Sequence, residues 1–133
     1  MRRVLLSFFL LSSFLLAQVV IVTNKETYLD AISKEKIKYV YLGKVNSIDG
    51  IKFTPYILND KTIHEQFLEK VIEKTNAQYQ SYWSRLLFTG RNSFLKTIEV
   101  DMISTVLSKP NTLVYMDESQ VDTTKHKVVY KVK

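Results

Sequence analysis

The chain has 133 residues, a formal net charge of +6 and no cysteine. Without cysteine there is neither a disulfide scaffold nor thiolate-bound zinc, and His64 and His126 are too far apart in sequence to suggest a metal site, so we expect no cofactor. The positive balance favours anionic ligands, but the lysines and arginines are not clustered as nucleic-acid binding requires.

Residues 1–17 have the features of a secretory signal peptide. Arg2 and Arg3 precede an apolar run, and Ala17 supplies a small residue at the expected cleavage point. The run is shorter than the roughly 20 apolar residues of a membrane-spanning helix, although an uncleaved anchor is the alternative. We therefore expect a mature domain over 18–133 in a bacterial periplasm, an environment that suits an exported chain without disulfides.

Short apolar or β-branched runs predict the strands. The first is expected to be buried, and Pro55 indicates a sheet edge or a bulge for the second. The last alternates polar and apolar residues, as an edge strand does. The predicted strands are 19–22, 51–58, 113–116 and 127–133, with a turn at 47–50.

Helical spacing and capping residues predict the helices. Ser33 is the expected N-cap of a helix that stops at Gly43. Thr62 and Glu65 fit a capping box before an amphipathic helix, and Asp101 is the expected cap of another. Strands that alternate with helices in one small domain predict an α/β fold, a single layered sheet with helices on its faces.

The stretch QYQSYWSRLLFTGR, residues 78–91, predicts a further amphipathic helix that ends at Gly90. It contains the only tryptophan, Trp83, which we expect in the core rather than at a ligand. The helical spacing places five large side chains on one core-facing stripe: Tyr79, Tyr82, Trp83, Leu86 and Leu87.

Several phrases resemble a known family. YVYLGKV at 39–45, with the helix start at 33–37 before it, resembles the I-F-L-G-K segment of substrate-binding proteins of bacterial phosphate ABC transporters, which are type 2 periplasmic binding proteins. YWSRLLFTGR at 82–91 resembles the W-S-R-L-x-F-T-G of small single-lobe members, and 110–116 matches a P-G-A-I-G-Y-V strand in part. The resemblance implies an α/β fold like one lobe of such a protein, without the second lobe that completes the ligand cleft.

The resemblance also implies where an anion would bind. In full-length relatives a Ser-Gly-Thr loop leads from a strand into a helix whose N-terminus holds phosphate. The matching place is 59–62, where Lys61 and Thr62 keep a cation and a hydroxyl, and where Asp60 adds a carboxylate that either accepts a proton from phosphate or repels it. Arg91 and Asn92 would supply further contacts if their loop folds to the same edge; otherwise they only finish a helix.

Two functions follow from these observations. The first is recognition of phosphate or a related oxyanion, linked to phosphate uptake by an ABC transporter. The alternative is an accessory or interaction protein that kept the lobe and lost its ligand, and that binds a protein partner or a second copy through the open half-cleft. No nucleophile motif surrounds Ser84 and no paired-carboxylate pattern stands out, so we do not expect an enzyme.

Overall fold

The computed structural model of the chain describes residues 17–90 and 94–133. The predicted signal peptide, except Ala17, and the candidate residues Arg91 and Asn92 lie outside the described residues. In the part that is described, no helix has both the length and the apolar character needed to cross a membrane. No group of three metal-ligating side chains gathers among those residues either.

The described residues build a five-stranded mixed sheet with the strand order β5-β4-β6-β1-β7. Strand β4 runs parallel to β5 and to β6, whereas β1 is antiparallel to β6 and to β7. A separate two-stranded hairpin is formed by β2 and β3. The bounds are β1 Val19–Asn24, β2 Ser47–Ile48, β3 Ile51–Lys52, β4 Thr54–Leu58, β5 Lys96–Ile98, β6 Thr112–Asp117 and β7 His126–Lys131.

The helices lie between the strands along the chain, which confirms the predicted α/β class. Helix α2 runs directly into a wider π-helical segment, Leu68–Ile72, and a 3₁₀ turn, Val100–Met102, leads into α4. The bounds are α1 Lys34–Tyr41, α2 Lys61–Phe67, α3 Asn76–Phe88 and α4 Ile103–Leu107.

The two central strands explain why the sheet is covered on both faces. Every residue of 19–23 in β1 and of 112–116 in β6 is buried. Successive side chains of a strand point to opposite faces, so a strand that is buried throughout has packed neighbours on both sides. These two strands have short, continuous apolar runs in the sequence because they lie in the centre of the sheet.

The predicted second strand, 51–58, is wrong in its continuity. It divides at Phe53 into β3 and β4, and β3 pairs with β2 across a tight turn at Asp49 and Gly50. Both turn residues have positive φ, 50° and 84°, the conformation that a two-residue hairpin turn requires. Pro55 is also not on an edge strand, because β4 lies between β5 and β6; it pairs with Leu113 of β6 before the pairing with β5 begins at Tyr56.

Two predicted helix caps are wrong, and one is right. The side chain of Asp60, not of Thr62, accepts the first-turn hydrogen bond of α2. Asp101 lies inside the 3₁₀ turn and caps no helix through its side chain. Ser33 caps α1 as predicted, and that helix is followed by Gly43 at φ 66°.

Three aromatic rings join α1, α2 and β6. The ring of Phe67 stacks on that of Tyr115 with centroids 3.9 Å apart, and meets the ring of Tyr41 edge-on at 4.8 Å. All three side chains are fully buried. Aromatic pairs in these arrangements contribute roughly 0.5–1.5 kcal/mol beyond the burial of their area. The cluster fixes α2, and with it the start of α2, against the sheet.

Helix α3 presents the predicted stripe to this core. Tyr79 and Trp83 are buried, and Tyr82 and Leu86 are half-buried, which confirms Trp83 as a core residue. The tyrosines do more than pack: the hydroxyl of Tyr79 donates to the carbonyl oxygen of Tyr41 and that of Tyr82 to the carbonyl of Leu42, each at 2.6 Å. These carbonyls belong to the C-terminal end of α1, where helical partners run out.

Candidate functional site

The candidate site is the corner where β4 ends and α2 begins. Strands β4, β5 and β6 are parallel, so their carboxyl ends share one edge of the sheet. In open α/β sheets, ligands commonly bind outside such an edge. The residues that follow the three strands there are Asn59, Glu99 and Glu118.

Asn59 fastens this corner to the end of β5. Its backbone N–H donates to the carbonyl oxygen of Ile98 at 2.8 Å, and its side-chain amide donates to Glu99 Oε1 at 2.8 Å. The corner is thus held from the backbone and from a side chain at the same residue. Asn59 occupies the turn for structural reasons, and neither of these two donors is left for a ligand.

Asp60 begins α2. Its carboxylate accepts from the N–H of Ile63 at 3.3 Å, and its carbonyl accepts from the N–H of His64 at 2.8 Å. The N–H groups of Lys61 and Thr62 precede this first intrahelical bond and therefore emerge at the positive end of the helix. Both of these side chains are exposed. The structure places the predicted pair Lys61 and Thr62 together, at the first two positions of the helix.

The charges at this edge are mixed. Glu118 forms an ion pair with Lys131 at 2.9 Å, and the carboxylate of Glu99 is hydrogen-bonded by Asn59. Lys61 forms no ion pair with any described residue. The edge therefore offers the Lys61 ammonium group and two N–H groups that lack intrahelical partners, close to the carboxylates of Asp60, Glu99 and Glu118. The structure does not test Arg91 and Asn92, which lie outside the described residues.

A hydrogen-bonded chain of side chains lies directly behind the corner. The N–H of Leu58, the last residue of β4, donates to the hydroxyl oxygen of Tyr115 at 3.0 Å. That hydroxyl lies 2.6 Å from Nδ1 of His64, and Nε2 of His64 lies 3.3 Å from Oδ1 of Asn76. The chain joins β4, β6, α2 and the start of α3 at one point.

The sequence prediction missed this arrangement. The sequence patterns place His64 inside the expected capping box, too far from His126 for a metal site, and Tyr115 within an apolar strand. A signal was nevertheless present: a tyrosine in a strand that is buried on both faces must find a partner for its hydroxyl. Which partner it finds depends on tertiary packing, and no local pattern contains that information.

Burial sets the ionisation of these groups. It lowers the pKa of His64 from its ordinary value of 6.5, with the hydrogen bond to Asn76 and the charge of Glu65 acting in the opposite direction. Burial raises the pKa of Tyr41, Tyr79 and Tyr115 far above 10.0, so the three hydroxyls remain protonated donors at every physiological pH. His64 is consequently neutral near pH 7.

A groove of about 450 Å³ runs between α3 and the β4–β5 edge, next to His64. Its lining includes Ile57, Asn76, Trp83 and Thr97. The indole Nε1 of Trp83 has no hydrogen-bond partner among the described residues, but this atom is fully enclosed and cannot reach a molecule in the groove. The lining also includes the polar side chains of Gln80 and Ser84, so the groove has polar groups besides His64 and Asn76.

Comparison with known proteins finds similarity at the level of fold. No family model matches the chain, and no curated protein does. Among solved structures, the chain is similar to a phosphate ABC transporter substrate-binding protein with bound phosphate from Clostridium perfringens, with a TM-score of 0.64 and 16% sequence identity. The match covers 85% of this chain and 44% of that protein.

The chain thus spans less than half the length of the protein that it resembles. This agrees with the resemblance expected from the Leu-Gly-Lys and Trp-to-Gly phrases, and it confirms an α/β fold like one lobe of such a protein. At this level of identity the likeness establishes the fold alone. The chain has the fold of one lobe of a phosphate ABC transporter substrate-binding protein.

Proposed function

We propose that this chain is a periplasmic solute-binding-like protein that recognises phosphate or a related oxyanion at the β4–α2 corner, and that it takes part in phosphate uptake. The observation that carries the proposal is the exposed first turn of α2, with the uncommitted Lys61 on it, at the carboxyl edge of parallel strands. The neighbour with the same fold contains bound phosphate, which supports the choice of anion.

The physical basis is the electrostatics of a helix start. The N–H groups of Lys61 and Thr62 and the positive end of the helix favour an oxyanion, and the Thr62 hydroxyl and the Lys61 ammonium add two donors. The segment continues without a break from α2 into the π-helical turn, so several peptide dipoles align behind the site. Arg91 and Asn92 remain proposed as additional contacts, on the basis of the sequence.

The carboxylate of Asp60 affects which anion would be chosen. It caps Ile63 at the base of the same turn. An ionised carboxylate accepts hydrogen bonds but donates none, so it repels a fully deprotonated anion and accepts a hydrogen bond from a protonated one. Phosphate carries such a proton near pH 7, whereas sulfate does not. We therefore expect phosphate to bind more tightly than sulfate.

Calorimetric titration of the protein with phosphate, sulfate and acetate tests the proposal. Replacing Lys61 by alanine removes one ammonium contact, which corresponds to about a tenfold loss of phosphate affinity. The matched control is Lys52→Ala, because Lys52 is also exposed but precedes β4 and so lies at the opposite end of that strand. Equal losses in both variants, or no heat with any of the three anions, would contradict oxyanion binding at this corner.

The carboxylates at the edge favour the second candidate function, that of an accessory or interaction protein that kept the lobe without its ligand. Asp60, Glu99 and Glu118 all lie at the end of the sheet where the anion would bind. Such a protein would show no heat and no thermal stabilisation with any oxyanion, and would be found with a protein partner or as a self-associated species by sedimentation. A monomer without a partner that binds phosphate would exclude it.

The start of the described structure is compatible with export and cleavage after Ala17. The side-chain amide of Gln18 donates to the carbonyl oxygen of Val132 at 2.6 Å. The backbone carbonyl oxygen of Gln18 accepts from the backbone N–H of Glu118 at 2.8 Å. A mature chain that begins at Gln18 would keep both contacts, which hold the N-terminus to β7 and to the end of β6.

A further inference from the structure

One arrangement of protons satisfies every donor and acceptor of the hydrogen-bonded chain behind the corner. The N–H of Leu58 can only donate, so the Tyr115 oxygen accepts from it and directs its own proton to Nδ1 of His64. Nδ1 is then an acceptor, which places the imidazole proton on Nε2. From there it is donated to Oδ1 of Asn76. This arrangement contains the neutral Nε2-protonated tautomer of His64.

We propose that Tyr115, His64 and Asn76 form a proton-sensitive latch that fastens the β4–α2 corner to β6 and α3, and that protonation of His64 opens it. The latch holds the last residue of β4 through Leu58 and the first turn of α2 through His64 itself. It is a property of the corner, so it holds whether or not an oxyanion binds at Lys61 and Thr62.

Protonation opens the latch because Nδ1 changes from acceptor to donor. A cationic imidazole presents N–H to a Tyr115 oxygen that already accepts from Leu58. The tyrosine proton would then need another acceptor in a site where the ring is fully buried. Leaving a buried donor unpaired is costly, as is a cation in the first turns of a helix, where the dipole is positive.

The groups that face His64 do not offset this cost. On its own helix Glu65 favours the cation, and the other charged side chain of the first turn, Lys61, is itself a cation. From α3, Asn76 accepts from Nε2, and Tyr79 presents its ring at 6.4 Å between centroids, with a hydroxyl committed to Tyr41. From β6 comes the neutral Tyr115, and the residues of β4 and β5 that line the adjacent groove, Ile57 and Thr97, carry no charge.

The groove beside His64 provides space into which the protonated ring can turn. His64, Asn76 and Ile57 all line it, and it is open to solvent on one side. A ring that rotates outwards leaves Nδ1 hydrated and releases both the Tyr115 and the Asn76 contacts. The first turn of α2 then loses its links to β6 and to α3, while the Asp60 cap and the Asn59 contacts remain.

Nuclear magnetic resonance titration of the unliganded protein between pH 8 and pH 4.5 tests the latch. In the native chain, the Leu58 amide signal and the Asn76 side-chain amide signals are expected to shift with the same midpoint as the ring protons of His64. His126 is the internal reference, because it forms no hydrogen bond to any of these groups among the described residues.

Two variants distinguish the latch from simple burial. Tyr115→Phe keeps the ring and removes the hydroxyl that donates to Nδ1. Because this hydrogen bond stabilises the neutral imidazole, its loss should raise the pKa of His64. Asn76→Ala removes a contact that the latch gives only to the neutral, closed ring, so the pKa of His64 should rise in this variant too. A rise in both variants, with His126 unchanged, supports the latch. A fall in Asn76→Ala would contradict it, because a protonated ring that stays in place is favoured by its hydrogen bond to Asn76.

The latch is contradicted if Tyr115→Phe leaves the His64 midpoint unchanged or lowers it, since burial alone would account for that result. It is also contradicted if the Leu58 amide of the native chain does not follow His64. Since no anion is added, failure of these tests leaves the oxyanion proposal intact, and failure of the phosphate titration leaves the latch intact.

Discussion

Tyr115 and Asp60 show how single residues define the corner. Tyr115 stacks on Phe67 with its ring and holds Leu58 with its hydroxyl, so one side chain serves both the core and the end of β4. Asp60, not Thr62, caps α2, because the backbone hydrogen bond from Asn59 to Ile98 holds Asn59 in the turn, directly before Asp60. The sequence predicts the location of the helix start correctly; the capping residue depends on this contact with β5.

At the same scale, the hydroxyls of Tyr79 and Tyr82 should differ in their contribution to stability. Tyr79→Phe leaves the buried carbonyl of Tyr41 without its partner, which costs about 1–3 kcal/mol. Tyr82→Phe should cost less, because the hydrogen bond between the Tyr82 hydroxyl and the Leu42 carbonyl is only partly buried and water can replace the hydroxyl. Urea denaturation of both variants measures the difference; a larger loss for Tyr82→Phe would show that these contacts do not support the end of α1 as described.

Secondary-structure elements were predictable where burial imposes a pattern, and not where pairing is short. The central strands β1 and β6 follow from continuous apolar runs, and α3 from its helical stripe. Strand β5 has three residues, none of them fully buried, and exists because Tyr56, Ile57 and Leu58 of β4 pair with it. Because β5 is determined by its pairing with β4 and not by burial, its own sequence lacks the polar–apolar alternation that predicts a strand.

The start of α2 gives a test at the scale of the element. Asp60→Ala removes the N-cap and should destabilise the protein by about 1 kcal/mol. Thr62→Ala should change stability by no more than about 0.5 kcal/mol, because Thr62 is exposed and its hydroxyl makes no hydrogen bond to a described residue. Urea denaturation near pH 7 compares the two; the reverse order would restore the capping box of Thr62 and Glu65.

At the scale of the whole molecule, the fold was predictable and the ligand is not. Alternating elements and two short phrases lead to a one-lobe α/β fold, which the structure confirms. Whether the corner binds an anion depends on the balance between Lys61, with two N–H groups, and the carboxylates of Asp60, Glu99 and Glu118. That balance is set by side chains that meet only in the folded chain.

The stability of the whole domain should depend on pH in two separate ranges. Burial lowers the pKa of both His64 and His126 from 6.5, so the unfolded chain binds protons more readily than the folded one. Stability should therefore be complete above pH 6.5 and decrease as the pH falls through the lower folded values. Urea denaturation between pH 8 and pH 5 measures this, and a His126→Gln variant should show a shallower dependence.

The second range lies at lower pH. Contacts with Lys34 lower the pKa of Glu73 from 4.5, and hydrogen bonds from Thr124 lower that of Asp122 from 3.8. Their stabilisation is present above these ordinary values and is lost as the pH falls through the folded ones. Stability that stays constant from pH 8 to pH 5, followed by a loss only below that range, would show that the two histidines do not resist protonation in the folded state.

A crystal structure of the protein grown in phosphate tests whether an oxyanion binds at the first turn of α2. We expect density for one phosphate within hydrogen-bonding distance of the Lys61 and Thr62 N–H groups, and the same crystals would show whether Arg91 and Asn92 reach it. An empty first turn at a phosphate concentration that saturates the calorimetric signal, or phosphate bound elsewhere on the lobe, would contradict oxyanion binding at this corner.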